Sequence, residues 1–277
     1  MSVETQPRTL SPTQLEQWER DGYLVVPALF NAAELNELAD TFQALHEQAK
    51  QNGGSIPGCF TIGTPEEIAA DPLKLYPRMM HPHRVHPVPM RYMLHPRIGA
   101  ILWDLFGEEP LAAQSMFYWK PPGARGQALH QDNFYLRVKP GTCIAAWIPI
   151  DPSDEENGGL VVVPGTQHME IVCPEDADPA TSFTKHLVRP PAGYQEVPIC
   201  LAPGDGLFFN GSVIHGSPPN RSTTRFRRSF ICHYVGASAE ELARFYKPLY
   251  TFDGRPVTDV PDAVGGGPCG VEAKGPH

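Results

Sequence analysis

The 277-residue sequence contains no apolar run of the ~20 residues that a membrane-spanning helix requires. It also has no basic run and no alternation of basic and aromatic residues, which argues against nucleic acid as a partner. Its first residues, MSVETQPRTLSPTQ, lack the charged and then apolar segments of a signal peptide. These absences predict a soluble, cytoplasmic protein with no membrane partner.

Cysteine is scarce, and the six residues present form no Cys-x-x-Cys pair. Widely scattered cysteines exclude a small disulfide-stapled domain and a cysteine zinc site. We therefore expect reduced thiols throughout. The positions concerned are Cys59, Cys143, Cys173, Cys200, Cys232 and Cys269.

The remaining composition is that of a folded enzyme-sized domain. Hydrophobic residues make up 41% and charged residues 19%, which is typical of globular chains, and the net charge of −9 indicates a solvated acidic surface. The 31 prolines favour short elements joined by turns over long helices.

Helices are predicted mainly before residue 111. Ser11-Pro12 is a typical helix start, and Asn31 with Glu34 forms a second one as a capping box. A third helix follows His95-Pro96 and ends at Gly107. The apolar stripe of the second helix is Leu35, Leu38, Phe42 and Leu45.

Short β-prone runs separated by turn residues fill the chain from 111 to 235, a pattern typical of a jelly roll. We therefore predict one domain over 1–277, with a helical part at 10–110, a jelly-roll core at about 111–235 and a C-terminal extension at 236–277. The tail, GGGPCGVEAKGPH, is predicted to be mobile.

The stretch ALHQDNFY places His130 two residues before Asp132 in a predicted strand. Side chains at i and i+2 of a strand project from the same face. Two histidines and one carboxylate on one face of a metal form the non-haem Fe(II) site. A structural hydrogen bond between His130 and Asp132 is the competing interpretation.

A third ligand is expected from GDGLFFNGSVIHGS, in which His215 ends a short apolar run. Further on, RFRRSFICHYV is predicted as a strand that carries Arg227 inward. A buried arginine is costly unless it meets an anion, and a dicarboxylate would supply one. A core role for His215 and a surface position for Arg227 are the alternatives. One face of this strand would hold Arg227, Ser229, Ile231 and His233.

Five ordered motifs resemble the phytanoyl-CoA dioxygenase family of Fe(II)/2-oxoglutarate-dependent oxygenases: ALHQD, CIAAWIPID, EENGGLVVVPGTQH, IHGSPPNRS and FRRSFICHY. The N-terminal SPTQLEQWERDGYLVVPALF is also similar to that family. The resemblance implies a mainly β fold, a double-stranded β-helix (jelly roll, cupin-like) with flanking N-terminal α-helices.

The resemblance also implies Fe(II), 2-oxoglutarate and O2 as cofactors, and oxidation of an unactivated C–H of a small-molecule metabolite, chiefly hydroxylation, with release of succinate and CO2. The implied metal ligands are His130, Asp132 and His215. The implied 2-oxoglutarate contacts are Arg227, Ser217, Trp147 and Met116, to which we add Gln114 on the same strand as Met116. Substrate contacts are expected from Phe134 and Tyr135.

Two features of the sequence qualify this reading of the family. The interval from His215 to Arg227 is one residue longer than usual in the family, which leaves Arg225 and Arg228 as alternatives. Related halogenases carry a small residue in place of the carboxylate of Asp132, so its presence argues against halogenation.

Two other functions remain open for a jelly roll. A metal-dependent cupin-type enzyme that does not use 2-oxoglutarate needs neither Arg227 nor Ser217. A non-catalytic ligand-binding module needs neither His130 nor His215. The sequence shows no basic patch for CoA, which favours a free small molecule over a CoA thioester as substrate.

Residues 51–90 are rich in glycine, proline and histidine without a clear period, and predict a long loop facing the substrate. Arg78 is a candidate to reach the cosubstrate. The HPHRVHP stretch holds His81, His83 and His86, for which a mobile substrate lid is favoured over a metal site.

Overall fold

Helices make up most of the chain before residue 110, and their starts follow the predicted caps. In this computed structural model, which describes residues 8–265, 267–270 and 275, Ser11 and Asn31 each form a capping box. Gly107 ends the fifth helix with φ 70°. None of the helices in these ranges combines the length and apolar character that crossing a bilayer requires. The helices are α1 (Pro12–Asp21), α2 (Ala32–Gln51), α3 (Pro65–Ala70), α4 (Pro87–Met93), α5 (Pro96–Phe106) and the single turn α6 (Asn133–Leu136).

Strands dominate after residue 110, as their β-prone composition predicts, and the named strands pair antiparallel. The strands are β1 (Tyr23–Val26), β2 (Ser55–Ile56), β3 (Phe60–Thr61), β4 (Met79–Met80), β5 (Pro110–Tyr118), β6 (Gln127–His130), β7 (Ile144–Pro149), β8 (Val161–Val162), β9 (Glu175–Asp176), β10 (His186–Leu187), β11 (Val197–Pro198), β12 (Gly206–Asn210), β13 (His215–Ser217), β14 (Ser229–Gly236), β15 (Leu249–Tyr250) and β16 (Pro256–Val257).

Two sheets of this set enclose the core of the domain. The main sheet has the order β1–β12–β7–β14–β5–β15–β16, with β4 also paired to β5, and the minor sheet has the order β11–β8–β13–β6. The short pairs β2–β3 and β9–β10 form separate two-stranded sheets. Two facing antiparallel sheets with helices on one side form the predicted jelly roll.

Alternation along the main-sheet strands separates two apolar layers. Phe117 and Phe230 face outward onto α2, where the ring of Phe42 stacks on Phe117 with 3.9 Å between centroids. Met116 and Ile231, their neighbours in sequence, face inward and pack with side chains of the minor sheet. The layer between the two sheets of the jelly roll is therefore mainly apolar.

Two strands of the predicted site are shorter than the sequence indicates. β6 ends at His130, and Asp132 has helical angles (φ −61°, ψ −36°) at the start of α6. β14 begins at Ser229, so Arg227 precedes the strand instead of lying on it. The predicted i, i+2 alternation is therefore wrong for His130 and Asp132, which meet through a turn that follows the strand.

The segment 51–90 is not the long irregular loop that was predicted, because β2, β3, α3, β4 and α4 divide it into short elements. The lid predicted for its histidines is also wrong. His81 and His83 are buried beside β5, where His83 Nδ1 lies 2.7 Å from Ser115 Oγ. His86 caps α4, with its Nδ1 accepting from the backbone N–H of Val88 at 3.2 Å.

The expectation of six reduced thiols is wrong at one pair, because Cys173 and Cys269 form a disulfide bond across 96 residues. The other four cysteines are free. The disulfide ties the predicted mobile tail to the loop after β8. The rest of that tail, at residues 266, 271–274 and 276–277, lies outside the described residues.

Candidate active site

Three metal-ligating side chains converge where β6 and β13 pair. The strand register places His130 opposite His215, and the turn after β6 brings Asp132 to the same point. Asp132 Oδ1 lies 3.4 Å from His130 Nε2 and 3.6 Å from His215 Nε2. One ligand atom from each residue lies within 4.8 Å of the other two, and all three side chains are buried.

Backbone carbonyls fix the orientation of both imidazoles. The Nδ1 atom of His130 lies 2.8 Å from the carbonyl oxygen of Ala128, and that of His215 lies 3.0 Å from the carbonyl oxygen of Val213. A carbonyl only accepts, so each Nδ1 carries the proton. Each Nε2 is then unprotonated and carries the lone pair that a metal-ligating histidine requires.

The electrostatics of the centre also suit a cation. Burial alone would raise the pKa of the Asp132 carboxyl, but His215 and His233 hold it well below its ordinary value. Burial lowers the pKa of His215 to about 4. At neutral pH the centre therefore offers an ionised carboxylate and a neutral His215 ring, the forms that ligate metals. Two histidines and one carboxylate are the donor set of non-haem Fe(II) sites, so these residues fit Fe(II).

A buried cation lines the same cavity, just before β14 and six residues ahead of His233, which contacts Asp132. Arg227 is 3% exposed, its guanidinium lies 5.3 Å from the centre of the Trp147 ring, and its Nη1 donates to Ser229 Oγ at 2.9 Å. Within the described residues, no carboxylate lies within ion-pair distance of it, and its Nε has no hydrogen-bond partner. Burial lowers its pKa to about 10, so it stays charged at neutral pH. A buried guanidinium without an acidic partner is a site for an anion.

Ser217 lines the same cavity as this cation and is held by Lys120, a residue that sequence reasoning missed. Lys120 is 3% exposed, and its Nζ donates to Ser217 Oγ at 2.9 Å. It also donates to the carbonyl oxygens of Gly158 at 2.8 Å and Pro218 at 2.5 Å. Since Lys120 occupies an acceptor position of the Ser217 hydroxyl, the hydroxyl hydrogen is available for another acceptor.

One cavity of about 40 Å³ contains most of the predicted site. Gln114 does not line it, although it is fully buried and faces His233 across the strand pair. Phe134 and Tyr135 are also buried outside the lining, in α6, where the hydroxyl of Tyr135 lies 2.9 Å from His186 Nδ1. The predicted residues that line the cavity are His130, Asp132, His215, Arg227, Ser217, Trp147 and Met116.

A second cavity, of about 350 Å³, adjoins the first and shares Tyr118 and Arg227 with it. Residues between 61 and 80 form much of its wall, so part of the segment predicted to face the substrate does border this space. Arg78 lies in this wall, where its Nη1 donates to the Tyr118 hydroxyl at 3.0 Å. Its guanidinium lies 5.7 Å from the ring centres of both Tyr118 and Phe183.

Three further polar side chains of the small cavity were not predicted. Tyr118 follows Met116 by two residues and so shares its face of β5, which the sequence could have shown. Gln127 lies 3.1 Å from His130 Nε2 through its amide nitrogen. The strand pattern predicts His233 on the inner face of its strand but indicates no role for it. In the structure its Nε2 lies 2.9 Å from Asp132 Oδ2.

A jelly roll with two histidines and an aspartate in its interior defines the class of metal-dependent oxygenases. Within that class, the model of the phytanoyl-CoA dioxygenase (PhyH) family matches residues 18–229 of this sequence. The chain belongs to the phytanoyl-CoA dioxygenase family.

Individual relatives agree with this assignment. A probable phytanoyl-CoA dioxygenase of Caenorhabditis elegans is 27% identical over 248 residues, which are 85% of this chain and 78% of that protein. Among solved structures, EctD from S. alaskensis with bound Fe has a TM-score of 0.68 at 18% identity and covers 95% of this chain and 91% of its own. The epimerase SnoN, in complex with Fe3+, alpha ketoglutarate and nogalamycin RO, has a TM-score of 0.61 at 23% identity and covers 82% and 84%.

These comparisons confirm the predicted family, fold class and oxygenase class of enzyme. Of the predicted cofactors, iron and 2-oxoglutarate correspond to the Fe3+ and alpha ketoglutarate present in the SnoN structure. The predicted division at residues 110 and 235, the cytoplasmic location and the lack of a nucleic-acid partner stay predictions.

Proposed function

We propose that this protein is an Fe(II)- and 2-oxoglutarate-dependent dioxygenase that hydroxylates an unactivated C–H bond of a small molecule and releases succinate and CO2. One observation carries the proposal: a single cavity is lined both by the three candidate ligand side chains and by Arg227, which has no acidic partner within ion-pair distance among the described residues. Bound by His130, Asp132 and His215, Fe(II) would supply the activation of O2. Both the oxidation of 2-oxoglutarate to succinate and CO2 and the hydroxylation of the substrate require it.

The cation in this cavity would hold the distal carboxylate of 2-oxoglutarate. The guanidinium of Arg227 offers two parallel donors, which match a carboxylate. The Ser217 hydroxyl, whose oxygen already accepts from Lys120, would donate to the same group. Trp147 and Met116 line the same cavity, so they would enclose the carbon chain of the cosubstrate.

The apolar inner layer would protect the reaction from water. Trp147, Phe209 and Ile231 line the cavity beside the three ligands, and all are buried. Exclusion of bulk water limits side reactions of a strong oxidant. This chain therefore contributes ligand geometry, a carboxylate anchor and a dry enclosure, and the oxidising power belongs to the cofactors.

The substrate would occupy the larger cavity, which reaches the smaller one past Tyr118 and Arg227. Its volume of about 350 Å³ is near the lower end of the range for small-molecule sites, ~300–1,000 Å³. This size supports a free small metabolite over an acyl-CoA thioester. Desaturation, epimerisation and ring formation would use the same arrangement and are distinguished by the product.

The test is a screen of small molecules that reads succinate formed from 2-oxoglutarate. Succinate is expected only when Fe(II), O2 and a substrate are all present. It should be lost in the variant His215→Ala and retained in His168→Ala, whose histidine is exposed and outside the cavity. Substrate oxidation without any requirement for 2-oxoglutarate would favour the cupin-type enzyme instead.

A further inference from the structure

His233 contacts the ligand Asp132 from the middle of the main sheet. Its Nε2 lies 2.9 Å from Asp132 Oδ2, and both side chains are 1% exposed. A carboxylate oxygen only accepts, so His233 Nε2 carries a proton and donates it. The contact is a buried, charge-assisted hydrogen bond.

The two oxygens of Asp132 therefore have different surroundings. Oδ1 faces the other two ligands, at 3.4 Å from His130 Nε2 and 3.6 Å from His215 Nε2. Oδ2 faces His233. A metal held between the two imidazoles would meet Oδ1, whereas the hydrogen bond from His233 uses one of the two lone pairs of Oδ2 and makes that oxygen the weaker ligand.

The geometry points to His233 as a positioning residue that keeps Asp132 a one-oxygen ligand of the metal. The consequence of this positioning for the metal rests on the proposed function. Three single-atom donors leave three of six octahedral positions open, which is the number that a two-point cosubstrate and O2 require. A two-oxygen aspartate would occupy one of them.

The surroundings of His233 explain how it can hold this position. It lies within β14, in register with Gln114 of β5 on one side and Ala145 of β7 on the other. Gln114 is fully buried, and neither atom of its amide has a hydrogen-bond partner among the described residues. A histidine inside the apolar run FICHYV would be costly to bury without a partner, and Asp132 supplies one.

The positioning role is tested with two substitutions of different chemistry. His233→Phe keeps a planar aromatic ring but removes the N–H donor to Asp132, whereas His233→Gln keeps an N–H near the place of Nε2. We expect His233→Phe to weaken Fe(II) binding by about 10–100-fold, as loss of a partner behind a ligand usually does. We also expect its complex with Fe(II) and 2-oxoglutarate to bind nitric oxide, an O2 surrogate read by electron paramagnetic resonance, about tenfold more weakly.

His233→Gln should restore most of both properties, and His168→Phe, at an exposed position, should leave them unchanged. Binding of Fe(II) and nitric oxide by His233→Phe at the wild-type level would overturn the inference. Circular dichroism shows whether each variant is folded.

A measurement on the wild-type protein keeps the inference testable if His233→Phe does not fold. In a crystal structure with Co(II) and 2-oxoglutarate, Oδ1 of Asp132 should coordinate the metal while Oδ2 stays bonded to His233. Coordination by both oxygens would overturn the positioning role alone. A wild-type protein that binds neither metal nor 2-oxoglutarate would overturn the proposed function as well.

Discussion

Among single residues, Arg227 and its neighbour Arg228, just before β14, place their charged side chains in different environments. Arg227 turns into the cavity, where burial lowers its pKa to about 10. Arg228 instead pairs with Asp151, with 2.6 Å between its Nη2 and Oδ1. Of these two neighbouring arginines, only Arg227 lines the cavity, where a ligand could contact it.

The first prediction concerns that pair. Arg227→Met should weaken 2-oxoglutarate binding by roughly 10–100-fold, because a charge-assisted fork contributes about 1.5–3 kcal/mol. Arg227→Lys should restore little, since an ammonium lacks the planar fork. Anaerobic calorimetry with the Fe(II)-loaded protein measures both, and Arg228→Met serves as control. An equal loss in the control would contradict the assignment.

At this scale the sequence predicted the three side chains that the fold brings together, but not all their neighbours. The motifs around His130, Asp132, His215 and Arg227 left structural alternatives open, and it was their order and its resemblance to the phytanoyl-CoA dioxygenase family that made these four residues predictable. Lys120 was not, because a lysine beside Pro121 is indistinguishable from a surface residue until Ser217 and Gly158 are brought to it by the fold.

Among the elements, β6 and β13 must approach closely for His130 and His215 to meet. Gly126 stands just before β6, where a Cβ would lie 2.1 Å from the carbonyl oxygen of Ser217. In β13, a Cβ at Gly216 would lie 2.8 Å from the carbonyl oxygen of Gln127. Both glycines therefore allow the backbones to come together at the site.

The second prediction follows from this approach. Gly126→Ala should push the two strands apart, lower the free energy of unfolding by about 1–3 kcal/mol and weaken Fe(II) binding. Urea denaturation and anaerobic metal titration measure the two effects. Gly275→Ala, where a Cβ meets nothing within 4 Å, is the control. Unchanged metal affinity in a less stable Gly126→Ala protein would show that strand spacing does not set the ligand geometry.

Element boundaries near the site were harder to predict than the elements themselves. Alternating apolar residues and turn residues gave the strands of the jelly roll, because these signals are local. The end of β6 at His130 and the helical turn that positions Asp132 depend on tertiary contacts, such as the bond from the N–H of Asn133 to the carbonyl of Gly211. A window of sequence does not contain such contacts.

For the whole molecule, two buried histidines outside the metal centre link stability to pH. Burial lowers the pKa of both His81 and His83 from 6.5 to about 3, and the charge of Arg84 adds to the effect. In the unfolded chain these rings take up protons near their ordinary pKa. The unfolded state therefore binds more protons between these values, and stability falls as the pH decreases from 6.5 towards 3.

The third prediction is that the free energy of unfolding of the metal-free protein decreases as the pH is lowered from about 7 to about 4. The double variant His81→Gln/His83→Gln should show a shallower decrease, because it lacks two of the groups that take up protons on unfolding. Urea denaturation at successive pH values measures the slope. The same slope in the variant and the wild type would contradict this origin.

The fourth prediction concerns the disulfide, which cysteine spacing could not reveal because its partners are 96 residues apart. The denatured, unreduced chain should react with a thiol reagent at four cysteines, and the reduced chain at all six. Six reactive thiols without reduction would show that Cys173 and Cys269 are not joined.

The metal centre is tested most directly by the number of Fe(II) ions bound per chain, measured anaerobically for the wild type and for His130→Ala, Asp132→Ala and His215→Ala. We expect one Fe(II) in the wild type and in the control His168→Ala, and a large loss of affinity in each of the other three variants. Wild-type binding in all three would contradict this expectation, because the convergence of these side chains would then have no part in holding a metal.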